Sequence, residues 1–369
     1  MIKGAPGRIN RAALPVACAL LLALLAFSEN SRAADELRYF RLGTGGFAGT
    51  YFAVGAALAN LISKPPGTRE CEHGGGCGVT GLVAVAQATQ GSVENAALVG
   101  SGGLESGLMQ ADVAHWAANG DAPRYRGCTA NRAGNMVPAR TAPIVKPADG
   151  KNLRAIAGLF PETIHVAVRA ESKIRALKDL RGKRVALGEA GSGTLADARL
   201  LLEAAGLSEC DLHPQYRGLS QSAEALSHGE IDALILVAGY PAPALADLAA
   251  IIKLRLLPVP PAMVAALRRK DAFLTAAAIP GAIYSGIDAA TPSAAVTAVW
   301  VTGAQQPEDL VQAITAALWQ EDSTGLSGGP PPARRIKRER ALVGFDLALH
   351  PGAARFYREA GLLKGGANR

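Results

Sequence analysis

The amino-acid sequence predicts an α/β protein of two lobes, with a hinge between them and a ligand cleft where they meet. Short apolar, β-branched segments alternate with amphipathic helical segments along the chain, which is typical of open α/β sheets. Glycine-rich turns follow several predicted strands, and a helix begins directly after each turn. Because ligands of such sheets bind beyond the carboxyl ends of the strands, these turns predict a binding site.

The first residues have the pattern of an export signal. Lys3, Arg8 and Arg11 precede an apolar run over 12–27, and Ser31-Arg32-Ala33 supplies small residues at positions −3 and −1 of a cleavage site. A bilayer span needs about 20 apolar residues, so the run favours a cleaved signal peptide over a membrane anchor. We therefore expect residues 1–33 to be removed and the mature protein to reside in the periplasm.

The remaining chain shows two alternating blocks. We predict a first lobe over 34–160, a second lobe over 161–252 and a return to the first lobe over 253–369, ending in helices. A basic stretch over 120–151, rich in proline, arginine and asparagine, is too long for an ordinary connection and predicts a surface insertion. The predicted strands cover 37–42, 82–86, 106–110, 153–159, 163–168, 184–188, 231–237 and 296–302, and helices include 50–62, 307–320 and 351–360. The segment 254–259 leads back towards the first block.

Two glycine turns predict anion binding. In 188–194 a strand ends at Gly188, and a helix begins near Ser192 and Thr194. A helix N-terminus directs free N–H groups at an anion, and flanking glycines permit close approach. We expect N–H groups and hydroxyls of this turn to hold a ligand carboxylate; with no arginine in the strand-end motifs, a guanidinium clamp is not expected. The turn at 43–51 has the same arrangement, a glycine-rich turn between a strand and the start of a helix.

Other polar residues also follow predicted strands. They are hydroxyls, amides and aromatics without an obvious nucleophile–base pair, which is typical of a binding site. Helix capping is the structural alternative for Ser92, Ser192 and Thr194. The set comprises Thr44, Thr50, Tyr51, Ser92, Asn95, Gln110, Asp112, Ser192, Thr194 and Tyr240.

Several motif matches do not predict catalysis. Gly43-x-Gly45-x-x-Ala48 lacks the acidic residue of a dinucleotide site, and the turn at 188–194 lacks the lysine of a nucleotide-binding loop. The Gly-x-Ser-x-Gly pattern at 325–329 lies in a predicted linker without the strand that a nucleophile elbow needs. The basic run 334–340 indicates a solvated helix face. Removal of residues 1–33 lowers the net charge from +7 to about +4, which is too small and too dispersed to indicate nucleic acid. No cofactor is expected.

The cysteines suggest one disulfide. Cys71 and Cys77 lie close together in a glycine-rich segment, and an oxidising compartment favours a bond between them. The alternative, a metal site that includes His73, lacks a second ligand cluster, so no metal is expected. Cys128 and Cys210 can pair or stay free.

The chain resembles the TAXI family, the solute-binding components of one branch of tripartite ATP-independent periplasmic (TRAP) transporters. The resemblance covers nearly all of the mature chain. It depends on the order of motifs at 44–51, 90–95, 110–114, 177–185, 191–194, 350–352 and 356–361. It departs at Phe47 and Ala111, where relatives often carry a small or hydroxyl residue and a serine.

The resemblance implies two α/β lobes that close on a small carboxylate, such as glutamate or a dicarboxylate, and deliver it to membrane-embedded TRAP transporter subunits. By motif position it places Gly45, Gly46, Thr50, Tyr51, Ser92, Gln110 and Gly191–Thr194 in the cleft. We therefore predict a non-enzymatic solute receptor. The alternatives are an exported hydrolase or transferase on an α/β scaffold and a ligand-sensing receptor for a signalling partner.

Overall fold

The computed structural model describes residues 37–68, 78–132, 136–145, 150–320 and 324–363, together with Met1 and Gly4. The strands are β1 Arg38–Gly43, β2 Ser63–Lys64, β3 Val79–Thr80, β4 Leu82–Gln87, β5 Ser106–Gln110, β6 Arg124–Ala130, β7 Met136–Pro143, β8 Leu153–Arg169, β9 Arg184–Ala186, β10 His213–Gln215, β11 Ala233–Ala238, β12 Leu254–Leu256, β13 Thr275–Ile279 and β14 Thr291–Gly303. The α-helices are α1 Thr50–Ile62, α2 Ser92–Gly100, α3 Ala111–Asn119, α4 Gly193–Ala204, α5 Leu219–Ser227, α6 Pro243–Ile251, α7 Pro261–Arg268, α8 Glu308–Leu318, α9 Thr324–Ser327 and α10 Pro351–Glu359.

The main sheet has the strand order β10-β9-β11-β8-β14-β5-β1-β4, with β12 beside β8 and β13 beside β14. Strands β4, β1 and β5 are parallel, and with α1–α3 we call them the first half. Strands β10, β9 and β11 are also parallel, and with α4–α6 we call them the second half. Within both halves strands alternate with helices along the chain, so the predicted α/β, two-lobed class is confirmed.

Two long antiparallel strands, β8 and β14, run through both halves. Strand β8 pairs with β14 up to Thr163 and with β11 from Thr163 onwards. Strand β14 pairs with β13 up to Ala295 and with β5 from Ala298. Because Ala295 pairs with Thr163, both strands change partners at one level, and the chain crosses between the halves there. The predicted boundary between residues 160 and 161 falls just before this crossing, inside β8.

Several predicted elements agree with the structure. Helix 50–62 and strand 106–110 have the predicted bounds, whereas the strands predicted at 153–159 and 163–168 form the continuous strand β8. The predicted linker near 323–333 contains the short helix α9. The basic run predicted as a helix face instead forms two 3-10 turns, at Ala333–Arg335 and Arg338–Arg340.

The predicted insertion at 120–151 contains a β-hairpin, β6–β7, that reaches the second half. A disulfide joins Cys128 of the hairpin to Cys210, beside the turn between α4 and β10. The Tyr125 hydroxyl accepts a hydrogen bond of 2.9 Å from the Glu209 N–H. Of the two states left open for these cysteines, the structure therefore shows the bonded one. Cys71, Cys77 and the predicted signal peptide, apart from Met1 and Gly4, lie outside the described residues.

The core lies between the sheet and its helices, where aliphatic side chains dominate. Trp300 of β14 and Phe40 of β1 are fully buried in it. Burial of such large side chains contributes roughly 1.5–3 kcal/mol each. Within the described residues no helix has both the length and the apolarity that crossing a membrane requires.

Candidate functional site

Five helices begin around one pocket at the carboxyl ends of the parallel strands. Helix α1 follows β1, α2 follows β4 and α3 follows β5 in the first half, whereas α4 follows β9 and α5 follows β10 in the second. Each helix N-terminus carries free N–H groups and about half a positive charge. The fold therefore concentrates positive potential at this edge of the sheet.

The pocket has a volume of ≈ 360 Å³, which suits a small molecule. Both halves line it, so the site lies where they meet. Nine of the twelve predicted ligand-binding residues line the pocket: Gly45, Gly46, Thr50, Tyr51, Ser92, Gln110, Ser192, Gly193 and Thr194. The other three, Asn95, Gly191 and Tyr240, are placed elsewhere.

The turn at 191–194 opens onto the pocket through Gly193 and Thr194. The Ser192 hydroxyl accepts a hydrogen bond of 3.1 Å from the Leu195 N–H and donates one of 2.7 Å to the Glu189 carbonyl. Ser192 is therefore the N-cap of α4, and its hydroxyl is already engaged. The Thr194 hydroxyl accepts a bond of 3.1 Å from the Val237 N–H, which leaves its proton available to a ligand.

Gly193 allows the two halves to approach closely. A Cβ atom at this position would lie 1.4 Å from Oε1 of Gln110, at the start of α3, and 2.7 Å from the Ser92 hydroxyl. Only a residue without a side chain fits there. The Gly193 and Thr194 N–H groups, at the first two positions of α4, precede the first intrahelical bond and can donate to a ligand.

The turn at 91–94 resembles the 191–194 turn in sequence but is closed. The Gly191 carbonyl accepts hydrogen bonds of 3.0 Å and 3.1 Å from the Val93 and Glu94 N–H groups. Two of the free N–H groups of α2 are thus occupied by the second half. Gly191, predicted to contact ligand, instead ties the two turns together.

Asn95 does not line the pocket but joins the segments that form it. Its amide donates bonds of 2.7 Å to the carbonyls of Thr44 and Leu108, and its Oδ1 accepts from the Thr89 hydroxyl. Asn95 is fully buried and holds three strand-end segments together. Its polar groups are therefore committed within the protein.

Tyr240, another predicted ligand-binding residue, faces the segment after α9. Its hydroxyl accepts a bond of 2.8 Å from Arg335, whose guanidinium carbon lies 4.0 Å from the centre of the tyrosine ring. Arg335 belongs to the basic run that the sequence predicts as solvated. This pairing explains why Tyr240 is absent from the pocket lining.

A buried carboxyl group, Glu162, lines the pocket beside the start of α1. The Tyr51 hydroxyl donates a short hydrogen bond to it. Burial raises the pKa of Glu162 to about 8, while the bond from Tyr51 acts in the opposite direction. At neutral pH Glu162 is therefore largely uncharged and can itself donate a hydrogen bond. Sequence reasoning missed Glu162 because it lies inside β8, where no turn motif marks it.

Arg217 also lines the pocket, just before the start of α5. Its guanidinium bonds to Gln215 at 3.2 Å and lies 3.6 Å from the Glu230 carboxylate. Arg217 lies outside the strand-end motifs named from the sequence, so the lack of an arginine in those motifs did not exclude one from the pocket lining. Arg217 follows a strand of three residues, too short to be recognised from the sequence, although the succession of β10, Gly218 and α5 repeats the pattern of the other turns.

Glu189 lines the pocket on the same side as Arg217. Burial raises the pKa of its carboxyl group, and the charge of Glu94 acts in the same direction. Sequence reasoning also missed this residue, which lies within the 188–194 turn. The second half thus brings one cation and one acid to a site that the sequence presents as neutral.

Comparison with known proteins gives a family match and distant structural likenesses. The sequence profile described as the NMT1-like family matches residues 42–132 and 141–361. The structure is similar to the alkanesulfonate-binding protein SsuA from Xanthomonas axonopodis pv. citri bound to MOPS, at 15% identity and a TM-score of 0.40, over 90% of this chain and 96% of that chain.

Two further structures are comparably distant. The periplasmic aliphatic sulphonate binding protein SsuA from Escherichia coli has 13% identity and a TM-score of 0.38, over 80% of this chain and 76% of its own. An ancestral arginine-binding protein has 13% identity and a TM-score of 0.42, over 79% of this chain and 96% of its own. At these scores the likenesses carry no conclusion about the ligand.

Proposed function

Since the chain belongs to the NMT1-like family, we propose that it is an exported receptor for a small anionic solute, with a carboxylate as the ligand. The observation that carries the proposal is that helices from both halves begin around one pocket of ≈ 360 Å³, with α1, α4 and α5 directing their N-terminal ends to its lining. Helix N-termini bind anions without a catalytic group. The receptor would deliver its ligand to membrane-embedded transporter subunits. The resemblance to TAXI receptors favours subunits of the TRAP type.

The charges around the pocket support an anion rather than a cation. Arg217 and the starts of α1, α4 and α5 contribute positive potential. Of the two carboxyl groups in the lining, burial keeps Glu162 largely neutral near pH 7, and burial also raises the pKa of Glu189. Thr194 and the N–H groups of α4 offer donors that are not used within the protein. A carboxylate placed there would receive charge-assisted bonds, each contributing roughly 1.5–3 kcal/mol.

The pocket lining favours a receptor over the alternative of a hydrolase. Among the described residues, those that line the pocket include no histidine or cysteine. The Ser192 hydroxyl, which lines the pocket, is engaged as a helix cap. A ligand-sensing receptor would share this site, so the partner alone distinguishes sensing from transport.

The receptor hypothesis includes a closing movement. Strands β8 and β14 change partners together at the Thr163–Ala295 pair, which is where we place the hinge. Hinge closure around a ligand is a common response of two-lobed binding proteins. Small-angle X-ray scattering should show a smaller radius of gyration when ligand is added, and an unchanged curve at saturation would contradict the closing movement.

The ligand can be identified by mass spectrometry of acids that co-purify with the native protein, followed by calorimetric titration. We expect a small carboxylate to bind and Arg217→Gln to weaken it about tenfold or more. Arg358→Gln, an exposed arginine on α10, is the control and should bind like the parent. Binding only of uncharged or cationic solutes would overturn the proposal.

A further inference from the structure

Three aspartates meet behind the pocket, one from each of three separate segments. Asp112 lies in the first turn of α3, Asp197 lies in α4, and Asp271 follows α7. Their exposed fractions are 0%, 1% and 2%. The cluster therefore draws on both halves of the molecule and is closed to bulk solvent.

Each of the three carboxylates has one oxygen bonded and one oxygen without a partner. Asp112 accepts a bond of 2.6 Å from the Val113 N–H, Asp197 one of 2.8 Å from the Gln110 amide, and Asp271 one of 3.0 Å from the Phe273 N–H. The other oxygens, Oδ2 of Asp112, Oδ1 of Asp197 and Oδ2 of Asp271, are buried and accept no hydrogen bond. Ligand oxygens of the three residues lie within 4.8 Å of one another.

Within the described residues, no positively charged side chain neutralises the negative charge of the three aspartates. No lysine or arginine there forms an ion pair with the three aspartates. His115 lies near Asp271, but its ring nitrogens bond to Asp121 and Asp346. Burying unpaired carboxylates is costly, so a bound cation or shared protons must neutralise them.

We propose that the cluster binds a divalent cation with a preference for oxygen ligands, calcium above all. Carboxylate oxygens without nitrogen or sulfur donors suit hard cations, and oxygens within 4.8 Å of one another can share an ion at metal–oxygen distances of about 2.4 Å. Three carboxylates supply three ligand positions, and water completes the coordination. The sequence does not predict this site, because the three residues are far apart in the chain and form no motif.

The cation would also order the binding pocket. Gln110 lines the pocket and donates its amide N–H to Asp197, which fixes its Oε1 towards Ser92 and Gly193. A bound ion would hold Asp197 and, through it, the Gln110 side chain. It would also join α3 to α4 and thus stabilise the contact between the halves.

The test uses the mature protein after removal of metals with a chelator, titrated with CaCl₂ and separately with MgCl₂. We expect one calcium ion per chain by calorimetry and a thermal unfolding midpoint that rises by several degrees with calcium. Asp271→Asn should bind calcium at least tenfold more weakly and show a smaller rise, because it loses one ligand charge, while Asp247→Asn, an exposed aspartate on α6, should behave like the parent in both. Asp271 is the residue of choice because it bonds to the Phe273 N–H, whereas Asp197 bonds to the pocket residue Gln110.

Shared protons predict a different outcome. An amide replaces a neutral carboxyl group with little change, so Asp271→Asn would then unfold at the same or a higher temperature than the parent, and neither ion would shift the parent's midpoint. That result would overturn the metal site. Calcium binding of parent affinity in Asp271→Asn would also overturn it, because loss of one negatively charged ligand must weaken binding at this cluster. If the variant does not fold, the titration of the parent decides.

Discussion

Two turns of this protein have nearly the same sequence but different roles. Gly91-Ser92-Val93 and Gly191-Ser192-Gly193 each begin a helix after a strand of the sheet. In the first turn, N–H groups of α2 donate to the Gly191 carbonyl, so the second half of the protein occupies them. In the second turn, Gly193 and Thr194 line the pocket, and their N–H groups precede the first intrahelical bond of α4. A helix-start motif thus predicts donors, but the neighbouring segment decides whether a ligand can reach them.

The two turns also differ at their third residue. Val93 follows Ser92 in the closed turn, whereas Gly193 follows Ser192 and lies against Gln110 of the opposite half. Because Gly193 has no side chain, the N-terminal ends of α3 and α4 can lie in contact, and the pocket forms beside this contact. The open turn is therefore also the place where the halves are closest.

The largest effect is expected from Gly193→Ala. Its Cβ would overlap Oε1 of Gln110, so Gln110 and the start of α3 must move. Overpacking of this kind costs roughly 1–3 kcal/mol, and we expect up to about 100-fold weaker ligand binding. Calorimetry with the co-purified ligand measures the change, and circular dichroism shows whether the variant is folded. Parent-like affinity in a folded variant would mean that the contact with Gln110 does not shape the pocket.

A smaller effect is expected from pH, because Glu162 shares the pocket with the open turn. Burial raises its pKa to about 8, so it becomes charged above that pH and repels an anionic ligand. We expect affinity to be steady near neutral pH and to fall up to about tenfold per pH unit above 8. Glu162→Gln should remove this dependence. If the affinity of the parent protein, like that of the variant, does not change up to pH 9.5, the ligand does not lie close to Glu162.

The same group makes folding pH-dependent. Its folded pKa of about 8 lies above the ordinary value of 4.5, so the native state binds more protons than the unfolded state between these values. The free energy of unfolding should therefore fall as pH rises through this window, by up to about 1.4 kcal/mol per pH unit. Urea unfolding of the parent and of Glu162→Gln at pH 5 and pH 8 measures the contribution, which the glutamine variant should lack.

Residues marked by local motifs could be found from the sequence, and residues brought in by distant pairing could not. Gln110 ends β5, Ser92 and Thr194 lie at the helix starts after β4 and β9, and all three line the pocket. Glu162 is placed there by the pairing of β8 with β14. Asp112 follows a strand end, but nothing local indicates that Asp197 lies beside it.

The same distinction applies to the fold. Alternating apolar segments predicted the α/β class and the bounds of helix 50–62 and strand 106–110. The continuity of β8 could not be predicted, because Pro161 and Glu162 resemble a break between two strands. Their conformation is set by pairing with β14, which is more than 100 residues away in the chain.

A smaller loss of affinity is expected when the Thr194 hydroxyl is removed from the open turn. Thr194→Val removes one ligand donor and also leaves the buried Val237 N–H without its acceptor. A neutral hydrogen bond contributes about 1 kcal/mol, so we expect roughly fivefold weaker binding together with a lower free energy of unfolding. Thr194→Ser keeps the hydroxyl and should behave like the parent in both measurements. Unchanged binding in the valine variant would assign Thr194 a purely structural role.

The smallest effect on binding is expected from Ser192→Ala, and it separates the two functions of the turn. The Ser192 hydroxyl caps α4 through the Leu195 N–H and is bonded to the Glu189 carbonyl, so it has no proton left for a ligand. Loss of an N-cap destabilises a protein by about 1 kcal/mol. We therefore expect a lower free energy of unfolding in urea but an affinity within about twofold of the parent. A loss of affinity comparable to that of Thr194→Val, at full stability, would instead show that the hydroxyl leaves its cap to bind the ligand.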